Sequence, residues 1–302
     1  MVVRREDPVS AARWVVTTPE RARRRASSAI RHAVGLTQSP QQPCLDESET
    51  YFPVDGIARI VHGDLASMLV GGLGSLFFQM LHPHSMAGVA QHSRYKSDPR
   101  GRLLQTANFI GRTTYGSKTT AYADIERVLA VHQAVRGIAD DGEPYYANDP
   151  HLLAWVHACE VSMFLRAYQN FGALTICAKD ADAYVNEMAS LAHDLGAENP
   201  PRSVNELDAR LEAYRPELRL SADAVVARNF VTQGFLENRR QRPAYQLLVN
   251  SAFTLMPPWS RELLQVPTKT VENRLLVRPA TKAFCWAIRL AVPPPRRVTL
   301  PT

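Results

Sequence analysis

The chain is short of cysteine motifs. Cys44, Cys159, Cys177 and Cys285 are its only cysteines, and no two stand in CxxC spacing. That pattern argues against a zinc knuckle and a disulfide framework, and the lack of CxxCH excludes covalent c-type haem attachment. The four read as reduced thiols. No Gly-rich phosphate loop and no nucleophile elbow occur, which removes nucleotide-dependent and α/β-hydrolase chemistry. Internal repeats are missing, and runs of alternating β-branched residues are few. Long apolar runs are scarce too. ASMLVGGLGSLFFQML, after Asp64, spans sixteen residues and is broken by Gly71, Gly72 and Gly74. It is too short and too glycine-rich to read as a transmembrane helix. It predicts a buried core helix whose glycines let another helix or a flat cofactor approach closely.

What remains is a chain of 302 residues, 45% hydrophobic, able to bury a substantial core without a staple. The expected class is all-α, a single multi-helix domain over residues 51–292. Before it lie an arm and linker at 1–50, with SPQQPCLDESET as the linker, and a Pro/Arg tail follows at 293–302. The net charge is +6, and eight arginines against three acids put +5 of it on residues 1–34. A charge so confined argues against a nucleic-acid face on the domain. ERARRRASSAIRHAVG fits a basic amphipathic helix for an anionic membrane surface and equally a solvated arm folded over the domain. Arg4 and Arg5 are not followed by an apolar core of signal-peptide length, so the expected location is cytoplasmic, with peripheral membrane contact through the arm.

The stretch from Gly101 to Gly137 concentrates the polar chemistry. Arg102 and Thr106 sit one helical turn apart. In YADIERVLAVHQAVRG, Ile125, Val128, Leu129, His132, Val135, Arg136 and Ala139 follow one helix face. Asp124, Glu126, Arg127 and Gln133 fall on the other, and Gly137 with Asp140, Asp141 and Gly142 is expected to end the helix. His132 is therefore expected inside. From this helix alone it reads ordinarily as a core histidine bonded to nearby backbone. Set beside Arg102 and Thr106, it points to an interior polar cluster that needs a ligand to satisfy it.

Several longer segments carry a resemblance: GSLFFQMLHPHSMAGVAQHSRYKSDPRGRLLQT, IERVLAVHQAVRG, PYYANDPHLLAWVHA and LMPPWSRELLQVP. Over about residues 50 to 290 the chain resembles the haem-dependent oxygenase superfamily. That group includes the latex-clearing rubber oxygenases and the membrane-associated oxygenase of mycophenolic acid biosynthesis. The resemblance implies globin-like helical packing around a buried pocket for haem b (iron). It implies His132 as the iron ligand and Arg136, four residues on, as a partner for a haem propionate. Arg102, Gln105 and Thr106 would line the distal side, and dioxygen with a hydrophobic small molecule would be the substrates of this oxidoreductase. The rubber oxygenases carry a lysine where this chain has Gln105, so a sixth ligand and a positive charge are lost, which argues against rubber cleavage.

His157 is the rival ligand. In DPHLLAWVHACEVSMFLRAY, Asp149 is expected to cap a helix opened by Pro150, with Leu153, Val156, His157, Glu160, Phe164 and Tyr168 on one face. His157 with Glu160 could serve a non-haem di-iron bundle, although no second pair of comparable spacing is visible. Under the haem reading they become supporting groups or a plain buried pair. A non-catalytic haem or lipid carrier, and a scaffold that has lost its cofactor, are the remaining alternatives. Pro83 predicts a helix starting near Ser85, and His82, His84 and His92 suit no standard zinc site. Further helices are expected to end at Gly196, to start after Ser203 with Glu206 completing a capping box, and to cover 221–233, 243–256, 259–264 and 270–291.

Overall fold

The computed structural model describes residues 27–28, 43–234, 239–266 and 274–292. Most of the basic arm and the whole Pro/Arg tail lie outside the described residues. The all-α class is what the chain adopts, as one domain. Twelve α-helices occur among the described residues, with one two-stranded sheet. They are α1 (Ile57–Gly63), α2 (Leu65–Gln79), α3 (Pro83–His92), α4 (Pro99–Tyr115), α5 (Lys118–Ala134), α6 (Pro150–Phe171) and α7 (Ala178–Asp194). After these come α8 (Val204–Ala213), α9 (Ala222–Gln233), α10 (Arg242–Leu255), α11 (Pro258–Leu263) and α12 (Arg274–Ala291).

Helix α6 is the axis of the domain. Asp149 accepts from the His151 N–H at 2.9 Å and Pro150 opens the first turn, as its sequence predicts. Fourteen of its 22 residues are buried, so it is apolar nearly all round, the mark of a central helix. The Gly-rich α2 lies against it. A Cβ at Gly71 would stand 2.7 Å from Phe164 Cδ1, and one at Gly74 would stand 2.2 Å from Met163 Cε. The close partner of the glycines is thus another helix. Helices α7, α8 and α10 complete the core around Trp155, Tyr184, Met188, Leu207 and Val249.

Two boundaries differ from expectation. Helix α3 begins at Pro83 rather than near Ser85, because the His82 ring accepts the His84 N–H at 3.3 Å and proline fits the first turn. Helix α5 stops at Ala134, and Val135 turns extended. Arg136–Ile138 then pairs antiparallel with Pro144–Tyr146. The α3 side chains supply the reason, since His92 Nε2 meets the Arg136 carbonyl at 3.1 Å and Gln91 donates to that of Ile138 at 2.9 Å. Gly142, at φ +85°, makes the turn. The last helix is described from Arg274, the preceding residues lying outside the described set. The Ser203 cap forms, but Glu206 accepts from the Arg202 N–H instead of completing the box on Ser203.

The end of the expected linker is hydrogen-bonded into the domain. Cys44 N–H donates to the Tyr115 carbonyl at 2.8 Å, and Thr50 bridges to Ser117. No single described helix is long and apolar enough to cross a membrane; α1 and α2 pass that test only as a pair bent by 90°.

At that bend Asp64 gathers four elements. Buried, it accepts from the Ala66 and Ser67 N–H groups of α2 and from the Ala173 N–H after α6, and pairs with Arg289 of α12 at 2.6 Å. Arg289 also donates to the Phe171 carbonyl. Replacing Asp64 with alanine leaves a largely buried guanidinium without its counter-charge, and should cost about 3 kcal/mol. Denaturant unfolding should show the midpoint falling at unchanged m-value; a loss under about 1 kcal/mol would contradict the role given to Asp64.

Candidate functional site

Helices α4 and α5 are each 17 residues long, yet they bury only two and three residues respectively. Their apolar side chains Phe109, Ile110 and Leu129, with Val156 of α6, rest half-buried against the main core. So the hairpin is only loosely covered by the rest of the chain, and we take the partly exposed side it shares with α6 as the candidate recess. Long helices with one unfilled inward face are what a recess for a ligand requires.

Polar groups converge on this recess. Asp98 starts α4 by accepting the Gly101 N–H at 2.9 Å, which sets Arg102 in the first turn. Arg102 Nη1 donates to Thr106 Oγ1 at 2.7 Å, so these two act as one unit on a single face. Arg102 has accessible surface, but enough protein surrounds it that desolvation lowers its pKa, against the opposing charge of Glu160 on α6. His132, in the last turn of α5, is lowered by burial and then by the Arg102 charge. Burial pushes Glu160 up to about 7, with Arg102 pulling back, and pushes His157 down to about 4. The cluster therefore joins α4, α5 and α6, with Glu160 one turn beyond His157.

Comparison of the histidines separates structural from available rings. His62 is buried, with Nδ1 at 2.8 Å from Thr114 Oγ1 and Nε2 at 3.0 Å from Tyr184 OH, so both nitrogens are satisfied. His132 Nδ1 and His157 Nε2 are buried without any hydrogen-bond partner. Such orphaned ring nitrogens are costly unless something else binds them. Both rings are neutral at physiological pH, the form that ligates a metal. His82 and His84 instead face Glu217 and Asp141 at 3.4 and 3.6 Å.

Not every expected site residue joins the cluster. Arg136 leaves the helix for the strand Arg136–Ile138, where its side chain is exposed. Gln105 is exposed on α4, beside Arg102 and Thr106. Asp124 was expected on the solvent face of α5, but it is buried and paired with Arg112 and Arg127. Helical periodicity alone could not show this, because Asp124 lies at the edge of the apolar stripe and only the arginine of α4 makes its burial tolerable. Glu160 gains a role that its sequence did not assign, as the carboxylate facing Arg102. Among the described residues, no group of three or more His, Cys, Asp or Glu could hold a metal ion, so nothing here assembles the second half of a di-iron site. A separate cleft of about 330 Å³ between α6, α8, α10 and α12 contains Arg166, Asp208 and Arg278, but no member of the cluster.

Comparison with known proteins yields one match. No curated protein and no solved structure matches the chain. The family profile described as "ER-bound oxygenase mpaB/B'/Rubber oxygenase, catalytic domain" matches residues 59–290, which takes in every helix of the recess and the whole α6 axis. The chain belongs to this oxygenase family and carries its catalytic domain.

Proposed function

We propose that the recess between α4, α5 and α6 holds a b-type haem, and that the enzyme uses it to oxidise a hydrophobic small molecule with dioxygen. The observation that carries this reading is the unpartnered His132 Nδ1 on the inward face of an incompletely filled hairpin. The donor set fits: a neutral imidazole for iron, half-buried apolar walls for a porphyrin, and a cation to meet polar substituents. When bound, such a group supplies the redox chemistry that activates dioxygen. His132 would provide the axial nitrogen. Arg102 and Thr106 would orient a bound ligand through N–H and O–H donors. Arg136, exposed on the strand that follows α5, could meet a propionate only from outside the cluster, and its proposed role rests on the family resemblance alone. Gln105 offers an amide and no charge beside them, which favours a substrate other than polyisoprene.

Glu160 is the group in this cluster best suited to hold a proton. A carboxyl with a pKa of about 7 exchanges its proton near neutrality, and Arg102 stabilises its ionised form. His157, one turn earlier, supports the recess rather than ligating iron in this reading. The basic arm would add a loose, salt-sensitive contact with anionic membrane, close to a supply of apolar substrate.

Expression with ample haem should give a strong Soret band and about one haem b per chain by pyridine haemochromogen assay. His132→Ala should abolish or strongly weaken haem retention, whereas His157→Ala should keep the Soret band with modest loss of stability. The reverse outcome would transfer the ligand to His157, and two irons per chain without porphyrin would favour the di-iron alternative.

Arg102→Ala and Thr106→Ala should retain haem but change cyanide, imidazole or dioxygen affinity. Parent-like binding and turnover in both would reduce them to structural roles.

Glu160 also sets a pH dependence. Its native pKa lies above the ordinary value of 4.5, so the protonated form stabilises the fold below that value. This contribution is lost as pH rises through about 7. His157, depressed to about 4, changes stability in the opposite direction between its native pKa and 6.5, so the difference between parent and variant is the quantity to read. Relative to Glu160→Gln, the parent should lose unfolding free energy from pH 4.5 to above 7. A difference that stays constant with pH would show that Glu160 is not perturbed.

A further inference from the structure

Helix α12 is apolar on two sides. Val277, Thr281, Cys285 and Ile288 recur at intervals of four, four and three residues and are buried against the domain. Leu275, Pro279, Ala283, Trp286 and Leu290 recur in the same rhythm on the outer side and are exposed. Leu276 widens this outer stripe. The exposures are large, at 88% for Leu275, 72% for Leu276, 58% for Trp286 and 39% for Leu290. Four of the twelve exposed large apolar side chains among the described residues therefore lie here, and no other element carries more than two. A continuous stripe of this kind is costly in water and marks an interaction surface.

Charge identifies the partner. The sequence of α12, RLLVRPATKAFCWAIRLA, contains no acidic residue. Lys282, exposed, stands at one edge of the apolar stripe, while Arg278 one turn before it donates to Asn170 of α6. The other described cation, Arg289, is turned inward onto Asp64 and takes no part. The sequence continues into Arg296 and Arg297 after three prolines. An apolar face bordered by cations, with a tryptophan at its centre, is the composition of a helix lying in the plane of a bilayer interface. Its cations would meet phosphate and carboxylate headgroups while Trp286 and the leucines enter the acyl boundary.

We propose that the outer face of α12 is a docking surface for an anionic lipid bilayer. The helix supplies an apolar contact in addition to any made by the basic arm. The idea is independent of the cofactor, since it rests on surface residues remote in sequence from the recess.

The test is co-sedimentation of the full chain with vesicles of phosphatidylcholine alone and of phosphatidylcholine mixed with phosphatidylserine. The parent should bind the mixed vesicles. A Leu276→Ser, Trp286→Ser double variant should lose tenfold or more in partitioning, roughly what burial of two large apolar side chains contributes. Lys282→Gln, which touches no core residue, should weaken binding to the anionic vesicles about fivefold and leave the neutral ones unchanged. Replacing Arg23, Arg24 and Arg25 with glutamine should weaken but not abolish binding. Circular dichroism melting checks that each variant is folded, and Lys282→Gln decides the matter if the double variant is not. Four results would overturn the proposal: no binding by the parent, unchanged binding in the folded α12 variants, loss only in the arm variant, or light scattering that shows a parental dimer split by the double variant. The last would assign the face to a second copy of the chain.

Discussion

The close contact between α2 and α6 is the constraint on which the domain depends. Gly71 and Gly74 have no room for a side chain, since the positions a Cβ would take are already held by Phe164 and Met163. Gly72, between them, has its nearest neighbour at 3.9 Å and is not required for the fit. Two glycines one turn apart fix how α6 is rotated about its own axis. Because the Met163 and Phe164 segment is held against α2, Glu160 and His157, one and two turns earlier, are set in orientation with it. Ser162 and Arg166 then face the separate cleft on another side. Packing thus sets the orientation of the site, and Asp64 locks both ends of the arrangement by tying the start of α2 to the end of α6 and to α12.

The recess then follows from what its walls do not do. His62 has both ring nitrogens partnered, by Thr114 and Tyr184. Asp124 is paired with two arginines. Around the hairpin, His132 and His157 leave a nitrogen unpaired and Arg102 has only a hydroxyl within hydrogen-bond range. Unpartnered ring nitrogens of this kind are open to an external group, although Arg59 and His82 also keep unpartnered atoms elsewhere in the domain. The matching family is an oxygenase catalytic domain, and the proposed role of these groups is in keeping with it.

Local signals in the sequence predicted what local physics controls. The Asp149 cap with Pro150, the Ser203 cap and the glycines of α2 each act within a few residues and appear where expected. The family and the all-α class were legible for a related reason, since long segments rather than isolated residues carry them. Pairings across the chain were not. The end of α5 is decided by His92 and Gln91 of α3, the burial of Asp124 by Arg112, and the fate of Arg289 by an aspartate 225 residues away. Helical periodicity extended His132 to Arg136 on one face, and a tertiary contact turned the second of these into a strand. Glu160 was visible as a carboxylate near His157, but its relation to Arg102 exists only once α4 is folded against α6.

Resonance Raman spectroscopy of the ferrous protein addresses the central claim most directly, because it reports the bond between iron and the axial nitrogen without needing a substrate. An iron–histidine stretching band that shifts on labelling histidine with heavy nitrogen, and that His132→Ala removes, is the predicted result. A protein with no porphyrin modes after haem-replete expression, or an iron–histidine band that survives in His132→Ala, would contradict it.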